Sequence, residues 1–424
     1  MPSPTFRSLG IQQFRWLFAS NTAFFFAMNG QFVARSYLAF KLTESALALG
    51  LVNLAVAVPM LIISPFGGAI SDRVEKRRLI MAGQATLLAN EAVVFVLLFL
   101  GMLEFWHLML VVFVIGAVFP FILPARQSIA VEIVGRSNLA NAMALQMGSM
   151  NAMRIVAPAA IGFLIFLIGL TPTYLVAVVV YGVALFAMLH VRPSFPAARA
   201  EPTTIMADIR EGVRYLWSDR PVRTLLVLGL VPMLLAMPFQ ALLVVFAEDV
   251  WEVGARGLGI LQAAAGLGGL VGALVVARYG DVRQKMLVML VSLLGFAASL
   301  LFFSMSPYFL LALGLVLVAD VFASVFQTLN NTVIQVLIPD EMRGRVLSLM
   351  MMSFGLTPLG TLLVSIIAEW AGAPIAVGTA SLLTALIGIL IFALSSSLRR
   401  VNELAAEGEL RPLARERAPL PADV

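Results

Sequence analysis

Three ionisable side chains stand deep inside long apolar stretches: Glu91, Arg154 and Asp320. An unpaired charge at mid-membrane costs about 2.5–3.5 kcal/mol, so three cost on the order of 8–10 kcal/mol together. They must therefore face protein or water, pair, or exchange protons. Asp320, Ser324, Gln327 and Asn331 recur at i, i+4, i+7 and i+11, one polar face on an otherwise apolar helix. Asn151, Arg154, Pro158 and Gly162 share one face in the same way. Asn21, Asn29 and Ser36 fall on one side of the first apolar stretch, with Arg35 nearby. Such faces either line a cavity or hydrogen-bond helix to helix. Arg154 is a fixed counter-charge to Asp320 or Glu91, or an attractor for an anionic substrate.

A second charged constellation is the turn from Gly67 to Arg78, which places Asp72, Arg73, Glu75, Lys76, Arg77 and Arg78 between two apolar runs. Gly67 and Gly68 allow two helix ends to approach closely. The basic residues alone would serve as a topological anchor on the membrane surface. Asp72 and the glycine pair are not needed for anchoring, and an acidic side chain there can bond to a neighbouring helix end.

The elements that position these residues follow from composition. The 424 residues are 61% hydrophobic and 12% charged, with mean hydropathy +0.99. Soluble globular chains carry about 25% charged residues. Repeated apolar stretches of membrane-spanning length give an all-α polytopic membrane protein, not a β-barrel. The net charge of +5 is spent in short turns, where anionic headgroups of the bilayer, not nucleic acid, are the expected partner. There is no cysteine, which excludes thiol chemistry. His107 and His190 fall near span ends, so no metal site is expected, and no cofactor either. No cleavable leader is read at the N-terminus, where the first apolar run is of full length.

Twelve spans are read, at about 16–38, 48–70, 80–101, 107–125, 142–168, 172–190, 223–247, 257–277, 287–306, 308–330, 345–368 and 374–397. They give an N-terminal six-helix bundle (1–195), a connection with an amphipathic surface helix (196–222), a C-terminal six-helix bundle (223–398) and a disordered tail (399–424). With both termini cytoplasmic, only Arg35, Lys41 and Arg256 fall on the outer side and Arg154 within a span. The other 24 of 28 Lys and Arg are cytoplasmic, as the positive-inside rule requires. The turns at 131–145 and 335–349 resemble each other, 204 residues apart. The turn 278–285 looks like a worn copy of the one at 67–78. Six plus six helices in parallel repeats is a known transporter plan.

On these residues the chain resembles the major facilitator superfamily. Gly68-x-Ile70-x-Asp72-Arg73-x-x-Lys76-Arg77 is similar to its loop between spans 2 and 3, with Glu75 and Ser71 departing from the pattern. Arg154 to Gly162 is similar to the span-5 motif of the antiporter branch, retaining Pro158 and Gly162, with Ala157 replacing a glycine. The family's arginine in the middle of span 4 is absent; the nearest is Arg126, at the cytoplasmic end. Pro124-Ala125-Arg126-Gln127 and Asp340 to Val346 resemble the enterobactin-exporter-like, secretion-effector group. The resemblance implies alternating access, with Gly68, Asp72, Arg73, Lys76 and Arg77 forming a cytoplasmic gate. It also places span 10, and with it Asp320, beside the central cavity, and span 3, with Glu91, at the periphery.

The reading that follows is a monomeric multi-pass transporter of the inner membrane that exports small amphiphilic molecules, a drug-like compound or a siderophore, by proton antiport. Asp320, Arg154, Glu91, Asn29, Arg35 and Gln327 are the cavity and proton-coupling candidates. An importer or facilitator stays open, as does a transport-inactive scaffold or receptor on the same fold. A membrane enzyme is disfavoured, because no nucleophile–base pair, metal cluster or phosphate loop is found. The glycine-rich stretch Gly254 to Gly272 serves close helix packing instead.

Overall fold

The structure is a computed structural model that describes residues 4–71, 74–193, 214, 217, 219–280, 284–338, 342, 346, 350, 355–395 and 398. Side chains at 4, 5, 65–71, 136 and 137 are not among those described. Asp72, Arg73, the surroundings of Gly68, most of the expected surface helix, most of the turn at 335–349 and the tail from 399 therefore lie outside the described residues.

Regular structure among the described residues is entirely helical. A bilayer leaves backbone groups no other partner, so apolar runs of this length must satisfy them internally. Along the chain we label α1 Gln12–Thr43, α2 Ala46–Ser71, α3 Lys76–Phe99, α4 Phe105–Gly135, α5 Asn138–Ile168 and α6 Leu170–Leu189. There follow α7 Arg220–Val250, α8 Gly254–Tyr279, α9 Lys285–Ser304, α10 Phe309–Leu337, α11 Thr357–Ala371 and α12 Ala373–Leu394. Ten of these are long and apolar enough to cross a membrane. The other two are α1, which carries Asn21, Gln31 and Arg35, and α11, which has 15 residues.

The breaks have local causes. Gly135 at φ +67 separates α4 from α5, and Gly169 at φ +86 ends α5; both conformations suit a residue without Cβ. Asp219 caps α7 by accepting from the Val222 amide at 3.2 Å, with a proline in the first turn. Inside α7 the helix breaks at 236–238, four residues after Pro232 and ending on Pro238, and its last turn widens to a π-helix over Phe246–Val250. Pro358, expected within a span, instead stands in the first turn of α11, where its missing N–H leaves no bond unmade.

The chain forms two compact units, one of residues 1–200 with 240–266, the other of 201–239 with 267–424. Within the first, Phe14, Leu17, Ile80, Ile129 and Met188 anchor a core. Within the second, Leu225, Leu293, Phe326, Leu329 and Ile334 do the same. Large apolar side chains remain exposed along the helices, among them Phe166, Val179, Leu310 and Leu386. Patches of that extent suit lipid, not water.

Two arginines differ from their expected places. Arg126 is not beyond the end of a span. The fourth helix runs on to Gly135 and buries it, 3% exposed, because Ile122, Ala125, Ile129, Ala130 and Val134 continue the apolar face past it. Arg35 is not on the outer surface: its side chain is 12% exposed and turns into the first unit.

Candidate functional site

In the first unit a cavity of about 220 Å³ is lined by Met28, Asn29 and Phe32 of α1, Arg154 and Pro158 of α5, Gln240 and Leu243 of α7, and Gln262, Ala265 and Gly266 of α8. Helical spacing makes this possible. Asn29 and Phe32 are three apart, Arg154 and Pro158 four apart, so each pair shares a face. Arg154 is exposed, and among the described residues no carboxylate lies within ion-pair distance of it. Gln262 is 9% exposed, and its Nε2 has no partner. Asn29 Nδ2 donates to the Phe25 carbonyl at 2.8 Å. Met28, Phe32 and Leu243 supply apolar surface to the same lining.

The α5–α8 seam holds Arg154 and Gln262 in register. A Cβ at Gly162 would lie 2.5 Å from the Ala255 carbonyl oxygen and 2.8 Å from Gly259 Cα. A Cβ at Gly259 would lie 2.6 Å from the Pro158 carbonyl oxygen, and one at Gly266 3.0 Å from that of Arg154. Only glycine permits backbone approach this close. Pro158 and Gly162 therefore touch α8 directly, and the glycine-rich stretch is accounted for by packing.

Elsewhere the first unit holds two buried polar groupings. Glu91 of α3 is 1% exposed and pairs with Arg35 of α1 at 4.0 Å. The partner of Glu91 is thus Arg35, not Arg154. Tyr174 and Tyr181 of α6 lie within electrostatic reach of this pair, and Gln31, 1% exposed, follows the same helix face as Arg35. Arg126 of α4 donates to Asn21 Oδ1 and lies 4.1 Å over the Phe24 ring. Asn21 in turn donates to Gln146 Oε1 at 3.3 Å. Arg126 is a buried cation with no acidic partner among the described residues, its charge met by an amide and a π face. The reading of the sequence missed it because the span was ended at 125, ten residues before the helix ends at Gly135. The continuing i, i+3, i+4 apolar pattern was the available signal.

At one end of the unit Lys76, 7% exposed, pairs with Glu132 of α4. Arg77 Nη2 donates to the Leu189 carbonyl at 2.8 Å. This places a cation on the last carbonyls of α6, where the helix dipole favours it. Near the C-terminus of α1, Lys41 Nζ pairs with Glu248 Oε2 of α7 at 2.7 Å. In the second unit Asp320 of α10 is 3% exposed and backs onto α8, where a Cβ at Gly268 would come 3.0 Å from its own Cβ. Ser324 donates to the Gly269 carbonyl at 2.8 Å, which makes it interhelical glue. Gln327, Asn330 and Asn331 border a separate cavity of about 30 Å³ with Gly229, Met233 and Met350, room for about one water. Of the sequence candidates, then, Asn29 and Arg154 share a cavity, Arg35 and Glu91 share an ion pair, and Asp320 and Gln327 belong to the second unit. Gln240 and Gln262 were not anticipated; amides in an apolar run carry no periodic signal of their own.

The description transmembrane secretion effector belongs to a family that matches residues 3–418. The chain is 29% identical over 370 residues to the multidrug efflux pump Tap of Mycolicibacterium fortuitum, covering 84% of this chain and 89% of that one. It is 25% identical over 339 residues to the staphyloferrin A transporter of Staphylococcus aureus, covering 78% and 83%. With the enterobactin exporter of Shigella boydii it shares 25% identity over 311 residues, covering 72% and 73%. Its fold is similar to that of the nucleoside transporter NupG, with a TM-score of 0.72 at 13% identity, covering 91% of this chain and 99% of that one. The match along nearly the whole chain, with ten helices fit to cross a bilayer, makes this a multi-pass inner-membrane protein that belongs to the transmembrane secretion effector family of the major facilitator superfamily.

Proposed function

We propose that the protein is a secondary active exporter of small amphiphilic molecules, working by alternating access with protons as the driving ion. In this reading twelve helices cross the membrane with both termini cytoplasmic, as two bundles over 1–195 and 223–398. The observation that carries it is the packing of Gln240–Gly266. These residues follow the central connection in sequence, yet they join the compact unit of the first six helices and complete its cavity. A carrier must make and release such packing as access changes. The named relatives, a multidrug efflux pump, a staphyloferrin A transporter and an enterobactin exporter, support a drug-like compound or a siderophore as the cargo.

Roles follow within that reading. Arg154, Asn29, Gln240 and Gln262 receive the ligand. Glu91, held by Arg35, and Asp320 are the carboxyls available to carry protons. Gly68, Asp72, Arg73, Lys76 and Arg77 form the cytoplasmic gate, with Lys76–Glu132 and the Arg77 cap of α6 as its described contacts. Pro158 and Gly162 close the opposite side through the α5–α8 seam.

The test uses purified protein in liposomes that enclose a pH-sensitive dye. Siderophores and amphiphilic drugs are added with wild type, Asp320→Asn and Glu91→Gln side by side. Substrate-dependent proton movement that one of the two variants loses is the expected result. Substrate movement with undiminished proton flux in both variants would remove these carboxyls from coupling, and no movement of any compound would refute export.

A further inference from the structure

We infer that the cavity of the first unit is a carboxylate-binding subsite, in which Arg154 grips the anionic end of an amphiphile whose carbon skeleton lies on Met28, Phe32 and Leu243. This deepens the export proposal and rests on it for the fate of the ligand, whereas the binding can be read without transport.

The donor balance carries the argument. Arg154 offers only N–H donors and, among the described residues, has no carboxylate within ion-pair distance. Gln262, nine-tenths buried beside it, has an Nε2 without a partner. Among the described residues no Asp or Glu lines the cavity. A guanidinium at the cavity matches a planar two-oxygen acceptor, which Arg can bind in a bidentate fork, and the unpartnered Gln262 amide in the same lining is a further donor that a shift of its side chain brings to the ligand. A cationic ligand would meet Arg154 with nothing to offset it. Position is fixed as well as charge: Gly266 packs on the Arg154 carbonyl and Gly259 on that of Pro158, so both donors ride on one rigid seam and little ordering is needed at binding.

Size narrows the ligand further. The cavity of about 220 Å³ falls below the roughly 300–1,000 Å³ of sites that enclose a whole drug-sized molecule. It therefore takes one end of the ligand, and the apolar part of the lining, Met28, Phe32 and Leu243, favours a carboxylate attached to an aryl or alkyl body.

The experiment compares three probes on the protein in lipid nanodiscs, with empty nanodiscs subtracting partition into lipid: pyrenebutyric acid, its methyl ester, and pyrenebutylamine. The acid is expected to bind about tenfold or more tighter than the ester, the factor of one charge-assisted hydrogen-bonded contact. The amine should bind least. Arg154→Gln should erase the preference, Arg154→Lys should retain part of it, and Gln262→Leu should weaken the acid several-fold while leaving the ester unchanged. If Arg154→Gln does not fold, Arg154→Lys and Gln262→Leu still decide. Equal binding of acid and ester, tightest binding of the amine, or a preference that survives Arg154→Gln or is unmoved in both other variants would overturn the inference. Selective acid binding with no transport in liposomes would leave the subsite standing and sink export. Transport confined to neutral or cationic compounds would do the reverse.

Discussion

Gly162 gives the sharpest test of the α5–α8 seam. In Gly162→Ala the new methyl would lie 2.5 Å from the Ala255 carbonyl oxygen and 2.8 Å from Gly259 Cα. Both neighbours are backbone atoms, so no rotamer change relieves the clash. Ordinary contact begins near 3.4 Å, which requires the two helices to part by about 0.9 Å. Overpacking of this kind costs about 1–3 kcal/mol. If the seam exists in only one of two alternating states, the whole cost falls on that state, and the equilibrium shifts away from it about 5- to 150-fold. The chain contains no cysteine, so Met28→Cys places a single thiol at the cavity. Its labelling by a membrane-impermeant maleimide from outside the cell reports how often the seam opens. Gly148 of α5 has nothing within 4 Å of an added Cβ, so Gly148→Ala is the control. Labelling is expected to rise at least fivefold in Gly162→Ala and to stay unchanged in Gly148→Ala. Equal labelling in all three folded proteins would refute the seam as a closure.

The other expectations concern the same unit. Gly259→Ala strains the identical contact from the α8 side, so labelling of Gly162→Ala/Gly259→Ala should fall short of the product of the two singles, as for any neighbouring pair. The Lys41–Glu248 pair is 2.7 Å long with Lys41 half exposed; such pairs contribute about 0.2–1 kcal/mol. Glu248→Gln should therefore raise the same labelling by less than about fivefold, and 1 M salt should produce most of that change in wild type. At the buried pair, Arg35→Met leaves Glu91 without its cation and should cost about 3–5 kcal/mol, read as a lower unfolding midpoint, whereas Arg35→Met/Glu91→Gln should recover most of it. An equal loss in the single and double variants would show that Arg35 acts by packing alone.

The helical class was legible because a bilayer allows little else, and ten of the helices are long and apolar enough to cross it. Long apolar runs specify helices from composition alone, whereas the ends at Gly135, Gly169 and Gly372 come from the backbone conformations of the structure. The seam was half legible: the glycines from Gly254 to Gly272 announced close packing and Pro158 and Gly162 stood out as a motif, but which helix met which required the coordinates. Charge partners were least legible. Arg35 looked like an outer residue because it follows an almost full-length apolar run, yet α1 continues to Thr43 and leaves it inside. Glu91 looked peripheral, and it is Arg35, 56 residues away in the chain, that gives it a partner. Arg126 was lost in a related way, by ending the span at its charge although the apolar face of α4 runs on to Val134. Such misplacements share one cause: hydropathy ends a span where polarity begins, whereas a helix can carry a charge onward if another helix supplies the partner. The candidates Asp72 and Arg73 lie outside the described residues, so the proposed gate is described only at Lys76 and Arg77.

The carboxylate subsite and the seam are one structure, which yields a last prediction. Arg154 and Gln262 are aligned by the contacts at Gly162, Gly259 and Gly266, so a ligand held by both binds the closed seam better than the parted one. A ligand that prefers one state must stabilise that state by its differential affinity. Two measurements are then tied together. In Gly162→Ala the apparent affinity for pyrenebutyric acid falls by the fraction of molecules left closed. In the same variant, saturating acid returns maleimide labelling at Met28→Cys toward the wild-type rate, while the methyl ester does so only weakly. Because the acid and the closed seam favour one another, the variant that binds the acid more weakly is also the one whose labelling the acid slows most in absolute rate. Weakened acid binding with no protection by the acid would separate the subsite from the seam, and would mean that Arg154 keeps its position by contacts other than those with α8.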